Sequence, residues 1–330
     1  MTRTPSNDSP PDTLVVGLAQ IAPVWLDRAG TIAKVVASIE EAAERGCRLV
    51  AFGETLIPGY PFWLSTTGGA SFNSDLQKDL HAHYLEQAVS IERGDLAPIA
   101  NAARAQVIDV WVGVYERPAD RGGHTGYASL VHIDTTGTVQ TVHRKLVPTY
   151  EERLSWGAGD GNGLRVAPIE PFTVGALNCW ENWMPLARSA LYAQGEDVHI
   201  AAWPGAVRLT QDITRFIALE SRSWVLSVSG LLRHQDIPDH APERSLLLES
   251  LPEMIADGGS CIAGPDGTWK VEPVIGREEL LVATLDHTSI RRERQNFDPS
   301  GHYSRPDVLS LQLDRTRQSV LAETPDPPAE

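Results

Sequence analysis

Short apolar segments alternate with amphipathic helical segments along most of this chain, and few folds accommodate that alternation. Residues 13–20 have the pattern of a buried strand, and apolar side chains at three- and four-residue intervals then predict a helix over about 28–45. Gly46 ends this helix, as glycine commonly does at helix C-termini. Residues 48–53 predict a second strand. A strand, a helix and a further strand form a crossover unit, the building block of α/β folds.

A second crossover series follows later in the chain. It is predicted as a strand over 197–203, a helix over 210–222 and a strand over 224–232. Between the two series, residues 127–134 and 139–143 flank a polar turn and predict a hairpin. We therefore predict an α/β fold with mixed sheets, in which parallel and antiparallel neighbours occur together.

The length and composition favour one large domain. The chain has 330 residues, of which 42% are hydrophobic, and it contains no Pro/Ser-rich linker that would divide it. We predict a disordered N-terminal tail over 1–12, one domain over 13–311 and a C-terminal tail over 312–330.

The charge and the cysteine spacing restrict the partners. A net charge of −15 argues against binding nucleic acid or an anionic membrane surface. No segment approaches the about 20 apolar residues of a membrane span, and the polar N-terminus does not resemble a signal peptide, so a cytoplasmic location is expected. The three cysteines, at 47, 179 and 261, predict neither a disulfide framework nor a metal-ligand set.

Three chemically capable side chains follow predicted strands. Glu54 comes after the strand over 48–53, and Lys145 follows the strand that ends at His143. Cys179 ends an apolar segment that begins at Val174. Ligands of open α/β sheets bind outside the carboxyl ends of the strands, so these side chains are candidates for one site. Each has a simpler explanation alone, because a strand-end charge is usually solvated and most free cysteines are buried hydrophobes.

The segment around Cys179 has the order strand, turn, helix. Pro185 suits the first turn of a helix, which we predict to run to about Gly195. Such a turn presents a nucleophile above the end of a sheet, with backbone N–H groups close enough to stabilise negative charge. A thiol needs that assistance because it is mostly protonated at neutral pH.

The residues around these three side chains resemble the nitrilase branch of the nitrilase superfamily of carbon–nitrogen hydrolases. The resemblance extends from about Leu14 to Leu311. It is carried by the segments Phe52-Gly53-Glu54, Pro58-Gly59-Tyr60-Pro61, His143-Arg144-Lys145-Leu146, Glu152-Arg153-Leu154, Cys179-Trp180-Glu181-Asn182, Gly258-Gly259-Ser260-Cys261-Ile262 and Gly301-His302-Tyr303-Ser304-Arg305-Pro306-Asp307. In one departure, the chain has Tyr127-Ala128 where nitrilases commonly have Tyr-Asn.

The resemblance implies a four-layer α-β-β-α sandwich that forms homodimers and larger homo-oligomers. It also implies a reaction that requires neither a metal nor an organic cofactor. Cys179 is then the nucleophile, Glu54 the proton acceptor and Lys145 the group that stabilises the charged intermediate. Glu152 resembles the second glutamate of the superfamily, which supports the lysine, and is favoured over Glu151 because Arg153-Leu154 follows it. A site with two carboxylates beside one lysine should raise the pKa of one carboxyl toward neutrality.

Other polar and aromatic residues near the motifs keep two interpretations. Glu181 is either catalytic or, more in keeping with its position, a structural hydrogen-bond acceptor at the cysteine turn. Tyr60, Trp180 and Trp183 either line an apolar substrate pocket or serve as core aromatics.

Two further clusters have weaker interpretations. His234, Asp236, Asp239 and His240 lie in a predicted long loop over 233–257 and could hold a metal, although such clusters also arise by chance in acidic chains. The glycine-rich segment 157–163 lacks the Lys-Ser/Thr pair of a phosphate-binding loop and is predicted to be a flexible turn at a pocket rim.

The expected activity is hydrolysis of an organic nitrile to a carboxylic acid and ammonia through a covalent thioimidate. Two alternatives use the same residues: a nitrile or cyanide hydratase that releases the amide, and an amidase or carbamoyl hydrolase.

Overall fold

The computed structural model describes residues 12–321. The predicted N-terminal tail falls almost entirely outside that range, as do residues 322–330 of the predicted C-terminal tail. Strands and helices occupy most of the described part. The strands are β1 Thr13–Gln20, β2 Leu49–Phe52, β3 Asp109–Glu116, β4 Tyr127–Ile133, β5 Val139–Arg144, β6 Ala167–Ile169, β7 Phe172–Asn178, β8 Val198–Trp203, β9 Trp224–Ser229, β10 Leu231–Arg233, β11 Met254–Ala263, β12 Trp269–Ile275 and β13 Glu279–Asp286.

The helices predicted over about 28–45, 185–195 and 210–222 are all observed, with boundaries within three residues of the predicted ones. The helices are α1 Arg28–Glu44, α2 Trp63–Thr66, α3 Asp75–Glu86, α4 Ala97–Gln106, α5 Pro185–Tyr192, α6 Val207–Ser221, α7 Arg244–Ser250 and α8 His287–Arg294. The Asp27 side chain caps α1 by accepting a hydrogen bond from the Gly30 N–H, which satisfies one of the free donors at the helix start. α5 begins at Pro185, whose missing N–H costs nothing in the first turn.

The strands form two mixed sheets. The first has the order β13-β1-β2-β3-β4-β5 and the second the order β10-β11-β9-β8-β7-β6, with β12 paired to β11. In the first sheet β1, β2 and β3 are parallel, and in the second β7, β8 and β9 are parallel. The remaining neighbours are antiparallel. The prediction of mixed sheets is confirmed.

The two sheets pack face to face, with helices outside each. Side chains alternate between the faces of a strand, so Val16 and Leu18 of β1 point into the core shared with Val174 and Leu226 of the second sheet. On the outer face of the first sheet, α1 and α4 pack against β2 and β3. On the outer face of the second sheet, α6 packs against β8 and β9, and α5 against β7. These layers confirm the predicted four-layer α-β-β-α sandwich.

The segment 233–257 is more regular than predicted. The structure places α7 and the first residues of β11 within it, so the interpretation as one long loop is wrong. Leu247 of α7 is fully buried, and this apolar anchorage explains why the segment is ordered. β12, Trp269–Ile275, was also not predicted.

The end of the described chain lies across the loop that follows the lysine strand. We call residues 313–318 the C-terminal strap. Arg317 forms an ion pair of 2.9 Å with the carboxylate of Asp160, and the Gln318 N–H donates to the other oxygen of that carboxylate. The Gly159 N–H in turn donates to the backbone carbonyl of Lys145 at 2.7 Å. Within residues 12–321, no helix has the length and apolar character needed to cross a membrane.

Candidate active site

Glu54 lies just beyond the end of β2, between the two sheets. Its backbone N–H donates to the carbonyl of Trp203 at the end of β8, which fixes this turn to the second sheet. Gly53 precedes it, and a Cβ there would lie 2.9 Å from the same carbonyl oxygen, so the close approach requires glycine. The Glu54 side chain is buried as a result.

Lys145 follows β5 directly and its ammonium group lies between two carboxylates. Nζ is 2.8 Å from Oε1 of Glu54 and 2.7 Å from Oε2 of Glu152, and the whole side chain is buried. Burial acts to lower the pKa of Lys145, but the neighbouring carboxylates and Cys179 outweigh it and hold the pKa above its usual value. The lysine therefore remains a cation throughout the physiological pH range.

Cys179 follows β7 and opens a 3₁₀ helix, Cys179–Trp183, which separates the strand from α5. The predicted turn between strand and helix is thus one turn of 3₁₀ helix. The Cys179 backbone has φ +49°, a left-handed conformation that is costly for a residue with a side chain and recurs at functional sites. Its sulfur and carboxylate oxygens of Glu54 and Glu152 all lie within 4.8 Å of one another.

Glu152 accepts three hydrogen bonds that hold it in place. It lies in the 3₁₀ helix Tyr150–Leu154 and accepts from Lys145 Nζ, the Thr149 N–H and the hydroxyl of Tyr60. The neighbouring Glu151 is only half-buried and lies at the rim of a cavity. This geometry supports the choice of Glu152 over Glu151.

The electrostatic environment favours neutral forms of the two proton-exchanging groups. Burial is the largest influence on Glu54 and raises its pKa to about 8; Lys145 opposes the rise and Glu152 adds to it. Burial likewise raises the pKa of the Cys179 thiol well above its usual value, and the charge of Glu54 raises it further. The second oxygen of Glu54, Oε2, has no hydrogen-bond partner among the described residues. It is therefore free to receive a proton.

Glu181 connects the cysteine turn to the lysine loop. Its carboxylate accepts hydrogen bonds from the N–H of Leu146, at 2.6 Å, and from the N–H of Asn178, at 2.9 Å. The Nε2 atom of His143 lies 3.0 Å away. Burial acts to raise the pKa of Glu181, but His143 and the two N–H groups outweigh it and lower the pKa. All of these contacts fit the structural interpretation of this residue.

A cavity of about 460 Å³ opens onto the cysteine. Its walls include Cys179 and Glu152, together with two of the predicted pocket aromatics, Tyr60 and Trp180. Trp183 lies outside this cavity and stacks instead on Phe216 of α6, with ring centroids 6.4 Å apart. The structure therefore brings together all the predicted site residues except Trp183.

Sequence reasoning missed the wall of the cavity that faces the cysteine turn. That wall is formed by Phe62, Arg208, Leu209, Met254, Ile255 and Asp257. Asp257 accepts a hydrogen bond from the Val207 N–H and so joins β11 to the start of α6. The available signal was the Gly258-Gly259 pair, because both glycines have positive φ and mark an irregular strand.

The carboxylates of Glu54 and Glu152 with the Cys179 thiol are the only group of metal-type ligands brought together within residues 12–321. The Lys145 ammonium already pairs with both carboxylates, so the position that favours a cation holds one from the protein itself. The side chains of the His234–His240 cluster have separate partners: His234 contacts Leu251, Asp236 pairs with Arg233, Asp239 with Arg244, and His240 with Asp27. The donor set does not fit a metal centre in either place.

The chain is similar to known enzymes over nearly its whole length. Residues 15–295 match the carbon-nitrogen hydrolase family. A protein named Nitrilase 2, from an unknown prokaryotic organism, is 36% identical over 307 residues, which cover 92% of this chain and 94% of that protein. An aliphatic nitrilase of Rhodococcus rhodochrous is 35% identical, with 92% and 83% covered.

A solved structure has the same fold. The carbon-nitrogen hydrolase of Helicobacter pylori G27 has a TM-score of 0.67 and 18% identity, and the match covers 89% of this chain and 96% of that one. The family match over residues 15–295 and the relatives above 30% identity are decisive for the identity of the chain. It belongs to the carbon-nitrogen hydrolase family, within the nitrilase superfamily, and is a hydrolase that acts on carbon–nitrogen bonds.

Proposed function

We propose that this hydrolase is a nitrilase, which converts an organic nitrile and two water molecules into a carboxylic acid and ammonia. One observation carries the proposal: a thiol, a buried ammonium and a carboxylate with one free oxygen meet at the end of a cavity large enough for a small organic molecule. The two nitrilase relatives described above support the choice of a nitrile as substrate.

In the first step, Glu54 takes the proton of Cys179 while the sulfur attacks the nitrile carbon. The C–S bond forms, one π bond of the nitrile breaks, and its electron pair goes to nitrogen. Glu54 then passes the proton to that nitrogen, giving a neutral thioimidate. Its pKa of about 8 suits both directions of transfer near neutral pH.

In the second step, a water molecule adds to the thioimidate with Glu54 as the base. The resulting tetrahedral intermediate carries sulfur, oxygen and nitrogen on one carbon. Lys145, held by Glu54 and Glu152, stabilises negative charge on this intermediate. Protonation of the nitrogen by Glu54 releases ammonia and leaves a thioester, and a second water hydrolyses the thioester to the acid and the free thiol.

The cavity favours a nitrile with an apolar substituent. Phe62, Leu209, Met254 and Ile255 offer apolar surface along its walls, and Trp180 closes one side. The charged side chains that line it are Glu151, Glu152, Arg208 and Asp257. Apolar walls with a few polar groups are typical of sites that bind small organic molecules.

Incubation with a panel of aliphatic, aromatic and arylacetic nitriles tests the proposal, with acid, amide and ammonia quantified separately by chromatography. We expect mainly acid, with ammonia in equal amount. Amide as the dominant product for every nitrile would identify a hydratase instead. Turnover of amides with none of nitriles would identify an amidase or a carbamoyl hydrolase.

We also propose that the chain self-associates. Apolar side chains on α5 and α6 are exposed in the single chain, and the exposed Trp183 stacks on one of them, Phe216. They are Leu186, Phe216 and Leu219, with exposed fractions of 69%, 48% and 42%. Light scattering coupled to size exclusion measures the mass directly, and a mass near 36 kDa at micromolar concentration would refute self-association.

A further inference from the structure

A line of buried polar side chains lies behind the cysteine and takes no part in the mechanism above. It consists of Glu196, His199 and Asn182, each fully buried. The Nδ1 atom of His199 is 3.0 Å and 3.1 Å from the two carboxylate oxygens of Glu196. Its Nε2 atom is 2.7 Å from Oδ1 of Asn182. The Asn182 amide nitrogen then donates to the backbone carbonyl of Cys179 at 2.8 Å. Buried polar groups joined in this way rigidify their surroundings.

The donors and acceptors of these three side chains determine the direction in which the hydrogen bonds are donated. The Asn182 amide nitrogen donates to the carbonyls of both Cys179 and Leu177, so the amide oxygen is the atom that faces His199. That oxygen only accepts, and His199 Nε2 must therefore carry a hydrogen. One further proton lies between Nδ1 and Glu196. Donation consequently runs from the Glu196–His199 pair to Asn182, and from Asn182 to the carbonyl of Cys179.

The carbonyl of Cys179 and the N–H of Trp180 belong to one planar peptide group. Asn182 holds the oxygen of this group, and the Trp180 N–H on its other side is close enough to the sulfur of Cys179 to influence it electrostatically. This N–H acts to lower the pKa of the thiol, against the larger effect of burial. Rotation of the peptide would move the N–H away from the sulfur and would also relax the left-handed backbone of Cys179.

We propose that Glu196, His199 and Asn182 are positioning residues that orient the Cys179–Trp180 peptide so that its N–H faces the nucleophilic sulfur. The proposal rests on the role of Cys179 as the nucleophile. His199 lies on β8, outside the cavity. In this proposal it affects the reactivity of the thiol indirectly, through Asn182 and the backbone.

Gly175 leaves room for the carboxylate of Glu196. Gly175 of β7 pairs with His199 of β8 in the parallel ladder. A Cβ at Gly175 would lie 2.1 Å from Oε1 of Glu196, so any larger residue would displace the carboxylate. The backbone conformation at this position does not require glycine, since its φ is not positive. Space for Glu196 is the physical reason for glycine here.

The test measures alkylation of Cys179 by iodoacetamide as a function of pH, followed by mass spectrometry of the peptide that contains it. This readout needs no nitrile turnover, so it remains informative even if the substrate class proposed above is wrong. Two variants distinguish the hydrogen bond of His199 to Asn182 from its contact with Glu196. His199→Gln keeps an amide N–H near the position of Nε2 and can still donate to Asn182. His199→Asn keeps an amide N–H near the position of Nδ1 but loses the donation to Asn182.

A second pair of variants covers the case in which a change at His199 prevents folding. Glu196→Gln preserves a donor to Nδ1 and so leaves Nε2 protonated, whereas Glu196→Ala removes the partner that holds the ring and lets His199 turn away from Asn182. The matched control is His132→Asn. His132 is an equally buried histidine, 2.8 Å from the carboxylate of Asp109 and stacked on Trp111, but it lies in the first sheet, on β4.

We expect His199→Asn and Glu196→Ala to slow alkylation of Cys179 about tenfold and to raise its apparent pKa by about one unit, as loss of one well-aligned donor would. His199→Gln, Glu196→Gln and His132→Asn should remain within about threefold of the unmodified protein, since the donation to Asn182 persists. Equal slowing in the Gln and Asn variants of His199 would overturn the proposal. So would unchanged alkylation in His199→Asn, or slowing in His132→Asn that matches it.

Discussion

Replacing Lys145 with alanine should destabilise the protein most at alkaline pH. The lysine pairs with Glu54 at 2.8 Å and with Glu152 at 2.7 Å, and all three side chains are buried. Removing one partner of a buried ion pair costs about 3–5 kcal/mol because it leaves an uncompensated charge. The part of that cost that comes from Glu54 disappears where Glu54 is protonated, so the cost depends on pH.

The direction of this pH dependence follows from the pKa of Glu54. Its pKa in the folded protein is about 8, against an ordinary value of 4.5. A carboxyl whose pKa is raised by folding binds its proton more tightly in the folded state, so stability decreases as pH rises from about 4.5 to about 8. Without Lys145 the pKa rises further. The deficit of the alanine variant should therefore be smaller at about pH 5 than above about pH 8, where Glu54 as well as Glu152 lacks a compensating charge.

Thermal unfolding followed by circular dichroism measures this deficit at both pH values. A loss of about 3–5 kcal/mol corresponds to a melting temperature lower by about 4–7 °C in a chain of this size. Lys34→Ala is the control, because Lys34 pairs with Glu278 at 2.7 Å on the surface and should cost little at either pH. An equal loss at both pH values in Lys145→Ala, or an equal loss in the control, would refute the argument.

Four further predictions concern activity. Cys179→Ala should abolish turnover and leave the fold intact, whereas Cys47→Ala and Cys261→Ala, at buried thiols outside the cavity, should retain it in a steady-state assay; equal loss at Cys261 would contradict the assignment. Lys145→Arg should lose about 100-fold in kcat/KM, close to the loss in the alanine variant, because a larger planar cation shifts the intermediate by about 1 Å; near-normal kinetics would show that charge alone suffices. Dialysis against a chelator should leave the rate of ammonia release unchanged, and restoration of a lost rate by zinc would count against the mechanism. Finally, kcat/KM should rise with pH and level off above about 8, as Glu54 ionises and becomes able to accept the thiol proton; a flat profile between about pH 6 and 9 would argue against Glu54 as the base.

The positions of Glu54, Lys145 and Cys179 could be predicted from the sequence because each follows a strand. Strand periodicity determines where a strand ends. Two antiparallel pairings separate β5 from β3, so β5 runs in the same direction as β2 and the ends of both strands come to one edge of the sheet. The local backbone at Cys179 could not be predicted. Its φ is left-handed, and the Asn182 side chain that holds its carbonyl is itself held by His199 of β8, which lies outside the motif.

The cavity wall illustrates a second limit. Met254 and Ile255 fell within a segment that lacks strand alternation and resembles a loop, yet they begin β11 and face the cysteine turn. Pairing with β10 creates this part of the strand, and pairing between distant segments leaves no periodic signal. Trp183 shows the converse, because closeness to Cys179 in sequence did not place it in the cavity.

The C-terminal strap also affects the order in which contacts around Lys145 form during protein synthesis. Arg317 and its partner Asp160 are separated by 157 positions in the chain. At a synthesis rate of about 5–20 residues per second, Asp160 leaves the ribosome about 8–31 s before Arg317 does. During that interval the loop around Gly159, whose N–H donates to the backbone carbonyl of Lys145, lacks the ion pair between Asp160 and Arg317. The last contacts around the lysine therefore form only after Arg317 has been synthesised, and a nascent chain stalled before the strap would carry an unfinished site.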